Sequence, residues 1–397
     1  MKLFEFEGKQ LFQKYKISIP MSTVFSKEVK INLLEFKQGY AVKAQVTAGK
    51  RGVSGGVVLT HSKIEAEQAV HELFSKKIHG FPVEHVLVEE KQNIECMYYF
   101  SITYDTVEKC PVLSFSKNGG IDIEKMVDLY RLDIPIEYNS KQVLDWLNSI
   151  GLQKVNLSDL EQLICQAFTC FLEEDLRVLE INPLVFSQEQ KWIACDSKIL
   201  TDDDAQFRHK ERIFPSRNEF GKIPTIRELQ AKEIDQDDYR GVGGKYTELT
   251  GNIAMLTAGG GASLTNMDAL LAYGGKPANY TEYGGNPPQE KVYKLTKVIL
   301  SKPGLVGCWH VGGTANNTQI DVTMKGFALA LEEIKPEYPI VVRRDGPNSS
   351  EGFRILEETA KKLKLNLKWF DKNMPMTESA EVLMKMVKEY QKKKGLN

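Results

Sequence analysis

Between residues 252 and 387, five short apolar runs alternate with five stretches of helical periodicity, and few architectures satisfy that pattern. The runs NIAMLTA (252–258), PANYTEY (277–283), LVGCWHV (305–311), PIVVRR (339–344) and NLKWF (366–370) predict strands. A helix is predicted over 262–275, and others where Leu295 and Ile299, Phe327 and Leu331, Phe353 and Leu356, and Leu383 and Val387 recur on one stripe. Strands and helices in strict alternation make a doubly wound parallel sheet. Ligands of such sheets bind beyond the carboxyl ends of the strands, beside helix N-termini. Four of the five strands here run into glycine loops: GGGAS, YGGNP, GGTANNT and RRDGPN. Without a Cβ, backbone amides approach an anion closely, and the helix dipole favours negative charge there. Tight turns alone would explain any one of these loops; four on one edge point to an anion site.

The rest of the chain reads differently. A helix near 6–15 precedes strands near 39–46, 54–60, 84–90, 97–105 and 110–116, a helical middle over 140–175 and a hairpin at 178–199. That order is α+β. Residues 206–240 are charged and poor in large apolar side chains, which predicts a linker and sets the expected domains at 1–238 and 239–397. With 52 basic against 53 acidic residues, no global field draws the chain to nucleic acid or anionic lipid. Glu5 and Glu7 fall where a signal peptide needs an apolar core, and no apolar stretch is long enough to span a bilayer. The six cysteines include no CxxC pair, so neither a disulfide framework nor a zinc site is indicated. A cytoplasmic protein is expected.

Two N-terminal segments carry candidate chemistry. In YAVKAQVTAGKRGVSGGVVL (40–59), alternation puts Lys43 and Gln45 on one strand face, and the strand feeds a loop with Lys50, Arg51, Gly52, Gly55 and Gly56. A basic, glycine-rich loop between antiparallel strands can fold over polyphosphate, although a solvated hairpin has the same composition. In RVLEINPLVFSQEQKWIACDSKIL (177–200), a turn near Glu189 sets Asn182 opposite Asp196, with Cβ atoms about 5 Å apart. Oxygen ligands so placed suit Mg²⁺, with water and phosphate completing its shell. The six histidines form no HxH or HxxxH pair, and His310, inside an apolar run, reads as a core residue. In the C-terminal part, Arg343 and Arg344 alternate, and Asn316, Asn317 and Thr318 open a helix after Gly312 and Gly313. A guanidinium and a set of amides suit a small polycarboxylate.

The motifs EFEGKQLFQKY, VKAQVTAGKRGVSGGV, NGGIDIEKM (118–126), LEINPLV and GNIAMLTAGGGAS, in this order, resemble the nucleotide-binding β subunits of succinyl-CoA synthetase from end to end. That resemblance implies an ATP-grasp fold followed by a flavodoxin-like CoA-ligase domain. The loops EYGGNPPQE, VGGTANNT and VVRRDGPNSSEG look instead like the citrate-binding loops of ATP citrate lyase. With no lyase domain before the chain ends at Asn397, the combination is most similar to the large subunits of citryl-CoA synthetases. A succinate or malate ligase β subunit, the small subunit of a two-chain citrate lyase, and a non-catalytic nucleotide and metabolite sensor are the alternatives.

The resemblance implies roles residue by residue. Lys43, Lys50, Arg51 and Gly52 would bind the phosphates of ATP, and Glu89 would contact the nucleotide in the hinge. Met97 stands where relatives carry a nucleotide-contacting glutamate. Asn182 and Asp196 would hold Mg²⁺. Gly260, Gly261 and Ala262 would stabilise a phosphohistidine carried by a CoA-binding partner subunit, and Gly284, Gly285, Asn316, Asn317, Thr318 and Arg344 would bind citrate. Gly284 replaces a serine of the lyase. The implied reaction joins citrate to CoA through citryl phosphate at the expense of ATP.

Overall fold

Long-range packing divides the chain into two units, 1–223 and 224–397, and each is built around its own apolar clusters. The computed structural model describes residues 1–395 except 50, 121–127, 136–138, 154, 213, 216, 218–222 and 237. Lys50 and most of the NGGIDIEKM motif therefore lie outside the described residues.

The first unit begins with α1 (Glu5–Lys14) and β1 (Ser22–Ser26), followed by β2 (Tyr40–Gln45), β3 (Val57–Thr60) and α2 (Lys63–Ser75). A small hairpin, β4 (Lys77–Ile78) and β5 (Phe81–Pro82), leads to β6 (His85–Glu90). Strands β1, β6, β2 and β3 form an antiparallel sheet in that order, which α2 covers. Ser62 accepts a hydrogen bond from the Glu65 amide while the Glu65 carboxylate accepts one from Ser62, a reciprocal cap that starts α2. A second sheet takes in β7 (Ile94–Asp105), β8 (Cys110–Ser116) and β9 (Tyr130–Asp133). After α3 (Ser140–Ile150) and α4 (Leu157–Glu173), it is completed by β10 (Leu176–Ser187), β11 (Trp192–Ala194) and β12 (Lys198–Thr201). Leu160, Ile164 and Phe168 of α4 are buried in the cluster that lines this sheet.

The second unit starts with α5 (Ile226–Glu233), inside the segment 206–240 read from composition as a linker, and β13 (Val242–Glu248), just after it. Helix α5 packs on β13, so the unit begins at 224, ahead of the expected boundary at 239. Thr225 and Glu228 cap α5 reciprocally, and Arg227 pairs with Glu248 of β13. Its charges serve as ties within the unit. There follow β14 (Ile253–Ala258), α6 (Gly260–Ala272), β15 (Asn279–Gly284), α7 (Gln289–Leu300), β16 (Gly307–Thr314) and α8 (Ile320–Ile334). Last come β17 (Ile340–Asp345), α9 (Ser349–Leu363), β18 (Leu367–Phe370) and α10 (Met376–Lys394). The predicted strands are all present, parallel in the order β15-β14-β16-β17-β18, with β13 added antiparallel at the β15 edge. The order reverses at β14, so the crevice outside the ends of β14 and β16 is the ligand position this topology creates. None of the described helices is long and apolar enough to cross a membrane.

Candidate functional site

The first unit holds a cleft of about 540 Å³ lined by Lys43, Arg51, Gly52, Glu89, Asn182 and Asp196, so the described nucleotide and metal candidates share one cavity. Lys43 reaches it by strand alternation on β2. Arg51 reaches it because the loop after β2 folds back, with its Nη1 donating to the Ala44 carbonyl at 3.1 Å. The hairpin register does the same for the last two: Glu180 pairs with Lys198 and Leu184 with Ala194, which sets Asn182 across from Asp196 at an interruption of the ladder.

The cleft floor is a buried ion cluster. The Glu5 carboxylate accepts from Lys9 at 2.7 Å, Lys43 at 2.8 Å and Arg51 at 2.7 Å. Glu89 pairs with Lys9 and Lys43, each at 2.6 Å, and the Cys195 carbonyl accepts from the same two lysines. Arg51 also donates to Asp196 at 3.0 Å. Burial pushes the Glu5 carboxyl up, but Lys43, Lys9 and Arg51 outweigh it and hold it well below the usual carboxylate range. The Lys43 ammonium loses hydration yet is raised by Glu5, Glu89 and Asp196. Asp196 lies deep in the unit with a third of its side chain open, and burial and then Glu5 raise its pKa against Arg51 and Lys43. Among the described residues, three cations face three carboxylates in this cluster.

Glu5 and Lys9 were not singled out from the sequence. Their one signal was an acid and a base four residues apart on the α1 face that is buried. Glu89 lines the cleft, with its carboxylate turned into the cluster. Met97 sits on β7, 43% exposed, and a Cβ on Gly120 would lie 3.5 Å from its Sδ. The oxygen donors fit a hard cation: Asp196 Oδ1 accepts from Arg51 and the Ser197 amide, and Asn182 Oδ1 accepts from the Gly120 amide at 2.6 Å.

In the second unit the candidates gather at the carboxyl edge of the parallel sheet. Gly259, with φ +87°, ends β14 and caps α6, leaving the amides of Gly260, Gly261 and Ala262 as the first-turn donors an α-helix cannot satisfy internally. A Cβ on Gly260 would lie 2.9 Å from a Glu282 carboxylate oxygen. Gly284 ends β15 and Gly285 follows it, and a Cβ at Gly284 would meet nothing within 4 Å. Asn316 and Asn317 are exposed, and Thr318 is buried. A tie unforeseen from the sequence holds these loops: the Gln319 amide donates to Asn286, and Asn348 donates to the Gln319 side chain at 2.7 Å.

The two arginines diverge as alternation requires. Arg343 donates to the carbonyls of Gly312, Lys372 and Met374 and locks the end of β17. Arg344 is 3% exposed and donates to the Gly313 carbonyl at 3.1 Å, its Cζ 5.5 Å from the centre of the Tyr283 ring. Among the described residues no carboxylate pairs with it and its Nε has no partner. A Cβ at Gly312 would fall 2.2 Å from Arg344 Nη1 and 2.7 Å from the Ala258 Cβ, so a side chain here would displace the guanidinium. His310 is fully buried, as a core histidine should be, and burial and then Arg344 hold its pKa well below the usual value.

Residues 2–186 match the family model of the ATP-grasp domain, and residues 225–386 match that of the ATP citrate lyase citrate-binding domain. The β subunit of ADP-forming succinate–CoA ligase from Desulfurococcus amylolyticus is 33% identical over 368 residues, covering 90% of this chain and 94% of its own. The corresponding subunit from Methanocaldococcus jannaschii is 32% identical, with the same coverage. Among solved structures, ATP citrate lyase from Methanothrix soehngenii in complex with citrate and coenzyme A aligns with a TM-score of 0.79 at 24% identity, over 97% of this chain and 99% of that one. Fold and cleft together define an ATP-grasp enzyme of the ATP-dependent CoA ligase class, with a parallel-sheet unit at its C-terminal end. The chain belongs to the family of succinate–CoA ligase β subunits, and its second unit matches the citrate-binding domain of the ATP citrate lyases.

Proposed function

We propose that this chain is the nucleotide- and acid-binding subunit of a ligase that makes citryl-CoA from citrate, CoA and ATP, working with a CoA-binding subunit that carries a phosphorylated histidine. A bare carboxylate is a poor acylating agent at neutral pH. Passing phosphate from ATP to a histidine, and then to a citrate carboxylate, supplies a leaving group and divides one difficult step into easier ones. The CoA thiol then attacks citryl phosphate and phosphate departs. Lys43, Arg51 and the loop at Gly52 would bind the polyphosphate, and Glu89 would approach the nucleotide from the hinge side. Asn182 and Asp196 would hold Mg²⁺, which when bound would offset phosphate charge. The amides of Gly260, Gly261 and Ala262 would meet the phosphohistidine. Gly284, Gly285, Asn316, Asn317 and Thr318 would surround citrate, with Arg344 as its charged anchor.

The observation that carries the acid assignment is Arg344, a cation buried at the sheet edge with no acidic partner among the described residues. A buried unpaired charge is costly, and a ligand carboxylate would relieve that cost. Calorimetric titration of the full chain with citrate, succinate and malate tests the reading: citrate should bind tightest, and equal or stronger succinate binding defeats it. A succinate ligase is the second reading, favoured by the curated relatives. The three loops that depart from the succinate-enzyme pattern favour citrate.

A further inference from the structure

Beneath Arg344 lies a buried polar pair that the reaction as proposed leaves unused. His310 on β16 shares a 2.7 Å hydrogen bond, through Nε2, with the hydroxyl of Tyr283 at the end of β15. Both residues are 0% exposed. The two strands are not neighbours: β14 lies between them, so this bond spans it on one face of the sheet. The ring of Phe327 from α8 packs edge-on against His310 at 4.7 Å, closing the imidazole off from the other side. Above, the Tyr283 ring is the surface on which the Arg344 guanidinium rests.

Such a pair has a cost. Two polar groups lose their hydration, and His310 Nδ1 has no partner among the described residues. An aliphatic side chain at 310 would fill the core without that penalty. What the pair supplies is orientation: a tyrosine fixed at its hydroxyl presents its ring in one plane. The guanidinium donates to the Gly313 carbonyl and lies against Tyr283, so its own plane follows that of the ring. The imidazole must stay neutral to do this, since a second positive charge beside Arg344 would push the guanidinium away.

We infer that His310 is a positioning residue for acid binding, acting through Tyr283 to fix the guanidinium of Arg344 at the carboxyl edge of the sheet. The inference rests on the reading of Arg344 as the anchor of the acid substrate.

Calorimetry on the full chain with citrate, and separately with ATP, tests it in four variants. His310→Leu and Tyr283→Phe should each raise the citrate Kd about fivefold to tenfold, the scale of one displaced hydrogen-bonding group. His310→Gln, which retains a partner for the tyrosine hydroxyl, should recover most of that loss. The ATP Kd should not move in any of them, because the nucleotide residues lie in the first unit, and recovery by His310→Gln separates positioning from a general loosening of the core. The double variant His310→Leu with Tyr283→Phe should be no worse than either single, because both break one chain of contacts. Wild-type citrate affinity in both singles, or additive losses in the double, overturns the positioning role. Should His310→Leu fail to fold, Tyr283→Phe and His310→Gln decide the matter, since each keeps the ring or the polarity of the site. Arg344→Ala separates the two levels. If it binds citrate like the wild type, or if the wild type binds none, the acid reading falls and the inference with it; if it alone loses citrate, only the positioning role is lost.

Discussion

A carboxylate ringed by three cations in the interior is an all-or-none arrangement at the level of single residues. Glu5 is held by Lys9, Lys43 and Arg51 with its side chain 1% exposed. Replacing it with glutamine removes one charge and leaves the others unbalanced, which for buried pairs costs about 3–5 kcal/mol. Urea unfolding of Glu5→Gln should therefore show a large fall in midpoint, and a loss under about 1 kcal/mol would mean the cluster re-pairs around the change. A second change tests the other unit. A Cβ at Gly284 would meet open space, and the resemblance to the lyases implies a serine at this place. Gly284→Ser should fold normally and tighten citrate about fivefold, the worth of one added hydrogen bond, with succinate much less affected. Unchanged citrate titrations would place that hydroxyl outside the acid site. At this scale the sequence was legible where alternation could be counted: Lys43 on its strand, Asn182 against Asp196 across a hairpin, and Arg344 against Arg343. It was not legible for Glu5 and Lys9, because charged residues at a helix start read as solvent-facing until the surrounding elements close over them. Nor was it for Tyr283 and His310, whose bond crosses an intervening strand.

Among elements, composition misled in one place. Residues 206–240 are charged enough to resemble a linker, yet α5 lies within them: Arg227 pairs with Glu248, the Glu228 carboxylate accepts from the Glu248 backbone amide, and α5 and β13 form the edge of the second unit. Periodicity reports burial on one face and says little about an edge element held by ion pairs. The turn between α4 and β10 is a comparable case, and it responds to pH. Asp175 accepts from Arg208 at 2.6 and 2.7 Å and lies 2.6 Å from His209 Nε2. Mainly through the Arg208 hydrogen bonds, its pKa falls from 3.8 to about 2. Because the folded pKa is the lower one, the stabilisation is complete above 3.8 and is lost as pH drops from there towards 2. Amide exchange across 203–212 should accelerate in that window ahead of the sheets, and Asp175→Asn should show the faster exchange already at neutral pH. Equal protection in both proteins at neutral pH would remove Asp175 as the tie.

For the molecule as a whole, the division at 223/224 makes a claim about autonomy. The second unit buries a cluster on each face of its sheet: Leu256, Val292, Phe327 and Leu356 on one, and Met255, Trp309, Leu383 and Val387 on the other. Both faces of a parallel sheet must be covered for it to persist in water, and among the described residues helices α6 to α10, all within 224–397, pack their apolar residues into these clusters. The doubly wound pattern that announced this unit is the same property read from sequence, which is why its strands were placed within three residues. The mixed order of the first unit named a class and no topology. It follows that a fragment spanning 224–397 should fold alone, with a cooperative thermal transition and α/β circular dichroism. A fragment starting at 239 lacks α5, and with it the Glu228 and Arg227 ties to β13, so it should melt lower or aggregate. If the citrate residues form their site within this unit, the longer fragment should bind citrate with the full chain's affinity and should not bind ATP. A fragment that folds yet binds citrate far more weakly would move part of the acid site into the first unit or onto a partner. A fragment that never folds would show that the boundary marks contact density alone.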